Sequence, residues 1–251
     1  MEHRTLGPTG MQVSTFALGT MVLGAWGNRD ADECMRIVRT ALDAGINLVD
    51  TADVYAFGES EELVGRALEG RRDDVVVATK FFNAMGEDPN HRGASRRWIV
   101  RAVDDSLRRL RTDWIDLYQV HRPDRSTDVE ETLSVLGDLV RQGKIRAFGC
   151  STFPAEQIVD SHYVAERRAL PRFRTEQPPY SLLARGVEAS VLPVCERWGM
   201  GVLTWGPLAS GFLSGRYRKG VDGDLSRGRA DAPGRGRSSR SAGASGSPRP
   251  P

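Results

Sequence analysis

The 251-residue sequence has only three cysteines, Cys34, Cys150 and Cys195. They are far apart, odd in number and never spaced Cys-x-x-Cys. That excludes a disulfide framework or a structural zinc site and fits a reducing compartment, with the thiols acting as small buried hydrophobes. Long apolar runs are also missing. No stretch approaches the roughly 20 residues of a membrane span, and Met1-Glu2-His3-Arg4 does not lead into the apolar segment of a secretory signal. A cytoplasmic protein with no membrane partner is the expectation. No glycine-rich dinucleotide fingerprint follows the first predicted strand, because Gly19-Thr20-Met21-Val22 lacks its spacing, and this disfavours a doubly wound open sheet. His121 has no His-x-His partner and no acid–histidine cluster has ligand spacing. A metal-dependent hydrolase is therefore set aside, and no metal ligand is assigned.

Excess charge is lacking in the part expected to fold. The formal net charge is +2. From Leu225 onward Arg227, Arg229, Arg235, Arg237, Arg240 and Arg249 stand against Asp231 alone, a local +5 that leaves −3 for residues 1–224. That mildly acidic balance does not point to nucleic acid. The arginine-rich end has no interleaved aromatic residues on which bases could stack. It is rich in Gly, Pro and Ser and nearly free of apolar residues, so residues 220–251 are predicted to be disordered and residues 1–219 to form one folded unit. Hydrophobic content of 39% and charged content of 27% describe an ordinary globular composition for that unit.

What is present is a repeat of strand and helix. Gly7-Pro8-Thr9-Gly10 is a turn signal between two short strand-like pieces and predicts an N-terminal β-hairpin. Strands are predicted at Thr15–Thr20, Asn47–Thr51, Val75–Lys80, Ile115–Val120, Ile145–Ser151, Arg174–Gln177 and Gly201–Trp205. Helices are predicted at Asp32–Ala44, Ser60–Leu68, Ser95–Leu110, Asp128–Gln142, Pro154–Ala169 and Glu188–Trp198. Several strands are nearly continuous apolar runs, as when both faces of a parallel sheet are buried. The pattern is that of an α/β chain, a (β/α)8-type TIM barrel that stops one βα unit short. An open barrel would leave the edges of its first and seventh strands and a strip of core exposed.

Ionisable groups recur at the ends of these strands. Asn47–Gly65 (NLVDTADVYAFGESEELVG) runs from a short apolar strand into Asp50 and Asp53, with Tyr55 close behind. VVVATK ends at Lys80, and IDLYQVH ends at His121. In a β/α barrel the chemistry sits on the face where strands end. Taken singly, Asp50 could cap a turn, Tyr55 could be a loop aromatic, Lys80 could reach solvent and His121 could be a core histidine. Together they are the parts of a proton-donating site.

The segments DTADVYAFGESEELVGRAL, ATKFF, DLYQVHRPD, GKIRAFGCST, EQPPYSLLAR and WGPLASGFLSGRY, in this order, resemble the aldo-keto reductases over about Arg4 to Tyr217. Within that family the look is of bacterial branches related to potassium-channel β subunits. The resemblance implies a catalytic tetrad of Asp50, Tyr55, Lys80 and His121 and reduction of a small aldehyde or ketone by NADPH, with NAD as the alternative. Tyr55 would protonate the developing alkoxide, the Lys80 ammonium would stabilise the phenolate left behind, Asp50 would hold Lys80 charged, and His121 would donate a hydrogen bond to the substrate oxygen. It also implies that Ser151, Thr152 and Gln177 hold the nicotinamide carboxamide and that Trp205, otherwise a barrel-core aromatic, stacks on its ring. Thr152 stands where the family usually has Asn, and one hydroxyl offers less than an amide. Gly206, Pro207, Leu208, Ser210, Gly211 and Leu213 belong to the loop expected over the pyrophosphate, and Gly19, Thr20 and Met21 would line the same site together with Asp50.

The family reads the adenosine 2′-phosphate with residues after an eighth strand, which this sequence does not show. A nucleotide-binding protein with little or no catalysis, such as a sensor or accessory subunit, is therefore the second reading. A truncated product without stable function is the third. Substrate identity depends on long loops and a C-terminal segment, and the residues set no oligomeric state.

Overall fold

The computed structural model describes residues 1–215 and Tyr217. The predicted disordered tail, residues 220–251, lies outside the described residues. The chain opens with β1 (His3–Thr5) and β2 (Gln12–Ser14), an antiparallel pair in which His3 faces Ser14. Asn47 fastens this hairpin to the sheet. Its side-chain carbonyl accepts the Ser14 N–H at 2.7 Å, and its amide donates to the Gln12 carbonyl at 2.9 Å.

Strand and helix then alternate as predicted. β3 (Ala17–Gly19) precedes α1 (Ala31–Asp43), β4 (Leu48–Asp50) precedes α2 (Glu59–Ala67), and β5 (Val76–Phe81) precedes α3 (Arg96–Leu110). β6 (Ile115–Val120) leads to α4 (Val129–Arg141), β7 (Ile145–Ser151) to α5 (Ala155–Arg167), and β8 (Thr175–Gln177) to α6 (Val191–Trp198), followed by β9 (Gly201–Val202). β3 to β9 form one parallel sheet whose spatial order is the chain order. This is a curled, incomplete barrel. Among the described residues, β3 and β9 each pair on one side only.

The two ends of the run are shorter than expected. Hydrogen bonding begins at Ala17 rather than Thr15, and the last strand stops at Val202 rather than Trp205. The reason for the second lies across the ladder. Pro178 and Pro179 have no N–H to donate, so Trp205 re-pairs further on, donating its N–H to the Pro178 carbonyl at 3.1 Å and accepting that of Tyr180 at 3.1 Å. The predicted helix Glu188–Trp198 is interrupted at Ser190, whose φ of −146° separates a 3-10 turn from α6.

Helix starts follow from their caps. The Asp30 carboxylate accepts the N–H groups of Asp32 and Glu33 at the start of α1, and Asp128 accepts that of Glu130 at α4. Two apolar layers result. The larger packs the helices on the sheet and includes Val49, Val77, Phe81, Ile99, Tyr118, Leu133 and Phe148. The smaller lies inside the curve and joins Leu48, Ala78, Leu117, Ala147 and Leu203 to Leu6 and Val13 of the hairpin. Period-two alternation along β4 and β5 therefore turns Val49 and Val77 outward and Leu48 and Ala78 inward. The same alternation carries Asp50 and Lys80 to the inner face at the strand ends. No helix among the described residues is long and apolar enough to cross a membrane.

Candidate active site

β4 delivers Asp50, and the chain then winds back on itself. Ala56 and Phe57 are non-glycine residues at positive φ, 48° and 54°, and Gly58 follows at 101°. A Cβ at Gly58 would lie 2.6 Å from the Arg109 side chain, so glycine serves both the backbone angle and the close approach. This turn presents Tyr55 half-buried and leaves Phe57 67% exposed. The Trp26 ring leans on both, with centroids 6.3 Å from Tyr55 and 5.9 Å from Phe57.

Lys80 lies two residues beyond Ala78, which pairs in register with Asp50. Its side chain is 1% exposed, and its ammonium has three oxygen neighbours among the described residues: Asp50 Oδ2 at 2.8 Å, the Thr51 carbonyl at 2.6 Å and the Tyr55 hydroxyl at 3.5 Å. Burial on its own would push the ammonium pKa down, but Asp50 and then Tyr55 outweigh it and hold the group above its ordinary value. Lys80 is charged throughout the neutral range.

His121 follows β6, its N–H donating to the Phe81 carbonyl at 2.9 Å. Its ring meets Tyr55 edge to face at 5.9 Å. Burial, then the Lys80 and Arg122 charges, pull its pKa down to about 2, so the imidazole is neutral. The Asn83 amide lies 3.0 Å from Nδ1. The structure thus brings Asp50, Tyr55, Lys80 and His121 to one mouth.

Beneath the Tyr55 turn is a buried polar cluster that sequence reasoning missed. Glu61 is fully buried and accepts Arg109 Nε and Thr79 Oγ1, each at 2.6 Å. Asp53 lies nearby with neither carboxylate oxygen partnered among the described residues, and the Tyr118 hydroxyl is likewise unpartnered. Burial first, then Glu61, push the Asp53 carboxyl well above the usual range, against the pull of Arg109. One guanidinium, that of Arg109, thus faces two buried acids and pairs directly with Glu61.

The predicted cofactor residues fall into three groups. At the end of β3, Gly19 pairs in register with Asp50, and the Thr20 N–H donates to the Asp50 carbonyl at 3.0 Å; Met21 follows directly. A Cβ at Gly19 would meet no atom within 4 Å, so the space above it is open. Val120 pairs with Cys150, which sets His121 level with Ser151 on the adjoining strand, and Ser151 in turn pairs with Gln177. The Ser151 hydroxyl donates to the Gln177 carbonyl at 2.9 Å, and Thr152 is at φ 59°. A hydroxyl acceptor beside a carboxamide, with half-buried Trp205 beyond the end of β9 and bridged to Pro179, is a donor and acceptor set that fits a nicotinamide carboxamide and ring. Gly206, Pro207, Leu208, Ser210, Gly211 and Leu213 form a mostly exposed segment beyond β9. Among the described residues its hydrogen bonds are internal, the Gly211 and Leu213 N–H groups both donating to the Leu208 carbonyl at 2.9 and 3.1 Å.

Trp26, Phe57 and Asn83 are the site neighbours that sequence reasoning did not find. A tryptophan between Gly24 and Gly27 in the loop after the first strand was an available signal for Trp26. Asn83 had none.

Residues 15–233 match the family model described as Aldo/keto reductase family. The chain is 43% identical over 220 residues to "Aldo-keto reductase YhdN" of Bacillus subtilis (strain 168), covering 86% of this chain and 65% of that protein. It is 41% identical over 225 residues to "Probable voltage-gated potassium channel subunit beta" of Oryza sativa subsp. japonica, covering 88% of this chain and 68% of the relative. A third relative, "Uncharacterized oxidoreductase YrpG" of Bacillus subtilis (strain 168), is 40% identical over 243 residues, or 92% and 74% of the two chains. The match thus spans just under two thirds of the first of these relatives. With that coverage and the curled parallel sheet, the chain belongs to the aldo/keto reductase family of oxidoreductases.

Proposed function

We propose that the protein reduces small aldehydes or ketones to alcohols, with Tyr55 as the proton donor. The single observation that carries this reading is the Lys80 ammonium, buried and shared among Asp50, the Thr51 carbonyl and the Tyr55 hydroxyl. NADPH, or NADH as the alternative, supplies the hydride to the carbonyl carbon when bound. The electron pair displaced onto oxygen is met by the Tyr55 proton, and the phenolate left behind faces the Lys80 cation. Asp50 keeps that cation fixed and charged. The neutral His121 ring stands beside Tyr55 to orient the carbonyl oxygen and donate a hydrogen bond to it. Ser151, Thr152, Gln177 and Trp205 would hold the nicotinamide end, with the segment Gly206–Leu213 over the pyrophosphate. Trp26 and Phe57 offer an apolar wall that favours aromatic or aliphatic carbonyl compounds over charged ones.

Tyr55→Phe should lower the rate by on the order of 10²–10⁴ while leaving NADPH binding, followed by nucleotide fluorescence, intact. A variant that reduces an aromatic aldehyde as fast as the parent would remove Tyr55 from the mechanism. A second reading, a nicotinamide-nucleotide-binding protein with little catalysis, is favoured by the sheet that remains open between β3 and β9 among the described residues. Nucleotide binding without turnover in the parent would select it.

A further inference from the structure

His121 can donate to a carbonyl oxygen only from a nitrogen that carries a proton, and a neutral imidazole has one proton for two nitrogens. The Asn83 side-chain nitrogen lies 3.0 Å from His121 Nδ1. An amide nitrogen has hydrogens to give and no lone pair to offer, so Nδ1 is the acceptor and the ring proton is left on Nε2. We propose that Asn83 is a positioning residue that selects the Nε2–H tautomer of His121 and aims that N–H at the substrate oxygen.

The surroundings of Asn83 are built to keep it there. Phe82, immediately before it, is a non-glycine residue at φ 136°, a conformation kept only where neighbouring contacts over-determine it. Those contacts are present. The Phe82 carbonyl accepts the Gly93 N–H at 2.8 Å, and the Met85 N–H donates to the His91 carbonyl at 3.0 Å. The Ala94 N–H then donates to Asp124 Oδ2 at 2.8 Å. Asp124 lies three residues after His121 and also takes the Ser126 and Thr127 hydroxyls at 2.6 and 2.9 Å. The loop carrying Asn83 and the loop leaving His121 are therefore locked to each other. The groups around the ring work in the same direction. Lys80 and Arg122 oppose a second proton, and the Tyr55 ring closes the third side.

The consequence for rate rests on the reductase reading, but the tautomer does not. The sequence has four histidines, His3, His91, His121 and His162, so their ring nitrogens can be resolved in a long-range proton–nitrogen correlation spectrum of 15N-labelled protein, with His121→Asn to assign the fourth. The parent should show a bare Nδ1 and a protonated Nε2 at neutral pH. In Asn83→Asp the carboxylate accepts instead of donating, so the proton should move to Nδ1 and bare Nε2. With NADPH and an aromatic aldehyde, that variant should lose about 10² in kcat, the usual effect of removing one such donor, with nucleotide binding unchanged. A parent carrying its proton on Nδ1, or an Asn83→Asp spectrum identical to the parent, overturns the proposal. So does a shifted tautomer with unchanged kcat. If the parent turns over no carbonyl substrate, the reductase reading fails, and the nitrogen spectra still decide the role of Asn83.

Discussion

Replacing Glu176 by Gln should stabilise the protein progressively as pH rises, by an amount set by the carboxyl's surroundings. Glu176 is on β8, fully buried, with Oε1 accepting the Phe153 N–H at 3.2 Å and Oε2 unpartnered among the described residues. Burial outweighs the hydrogen bonds from Cys150, Phe153 and their neighbours and raises the carboxyl from 4.5 to about 7. Between those values the folded protein holds a proton that the unfolded chain has released. Stability therefore falls as pH rises through the interval, by about 1.4 kcal/mol per pH unit for one proton. Over the whole interval the loss is on the order of 3 kcal/mol, a large share of the roughly 5–15 kcal/mol that holds a typical domain together. Glutamine has no such proton. Urea unfolding of parent and variant from about pH 5 to about pH 8 should give a difference curve that climbs and then levels off near neutrality. Any fixed penalty from the new amide shifts that curve without changing its slope. A flat or falling difference would mean that Glu176 is ionised in the folded protein, and the burial argument would be refuted.

His162 should act at the acid end. It is buried on α5 against Trp198, with ring centroids 4.6 Å apart and both ring nitrogens unpartnered among the described residues. Burial, then Arg172 and Arg174, pull its pKa down to about 4. The unfolded chain takes up the proton first, so this contribution to stability, complete above about pH 6.5, is lost as pH falls toward 4. His162→Leu should flatten that limb in thermal melts, and an unchanged limb would count against it. Gly65→Ala tests the α2–α3 contact, because the added carbon would lie 2.7 Å from the Arg109 carbonyl oxygen. Forcing the helices apart should cost about 1–3 kcal/mol, seen as a lower urea midpoint at unchanged slope; a raised midpoint would show a looser seam.

The barrel-like fold was legible because its signal is local and repeated. Apolar runs such as VVVA and GVLTW, alternating with amphipathic helices, need no knowledge of what lies across the sheet. Asp50, Lys80 and His121 were legible for a related reason, since each is the polar residue that ends an apolar run. Their meeting, and the placement of Tyr55 over Lys80, follow from strand register and the chain-order sheet. The Asn83–His121 contact was not legible, because it spans 38 residues and depends on a backbone angle at Phe82 that nothing in the residue type announces. Glu61 read as one acid among several in a helix's first turn, whereas its charge is met by Arg109 from the next helix. The early end of β9 was hidden too, because the prolines responsible stand just past the end of the neighbouring strand.

The hairpin has a consequence for the site at the far end. Leu6 and Val13 fill the base of the curve, and Gly7 sits so close to Gly201 that a Cβ there would lie 2.9 Å from the Gly7 nitrogen. Asn47 ties the same hairpin to the strand that bears Asp50. The opening segment thus works as a buckle, drawing β4 and β9, near the two sides of an arc unclosed among the described residues, toward a common point. Loosening it would let the arc relax and spread the very strand tips that hold the phenol, the amine and the imidazole, although no residue of the buckle touches any of them.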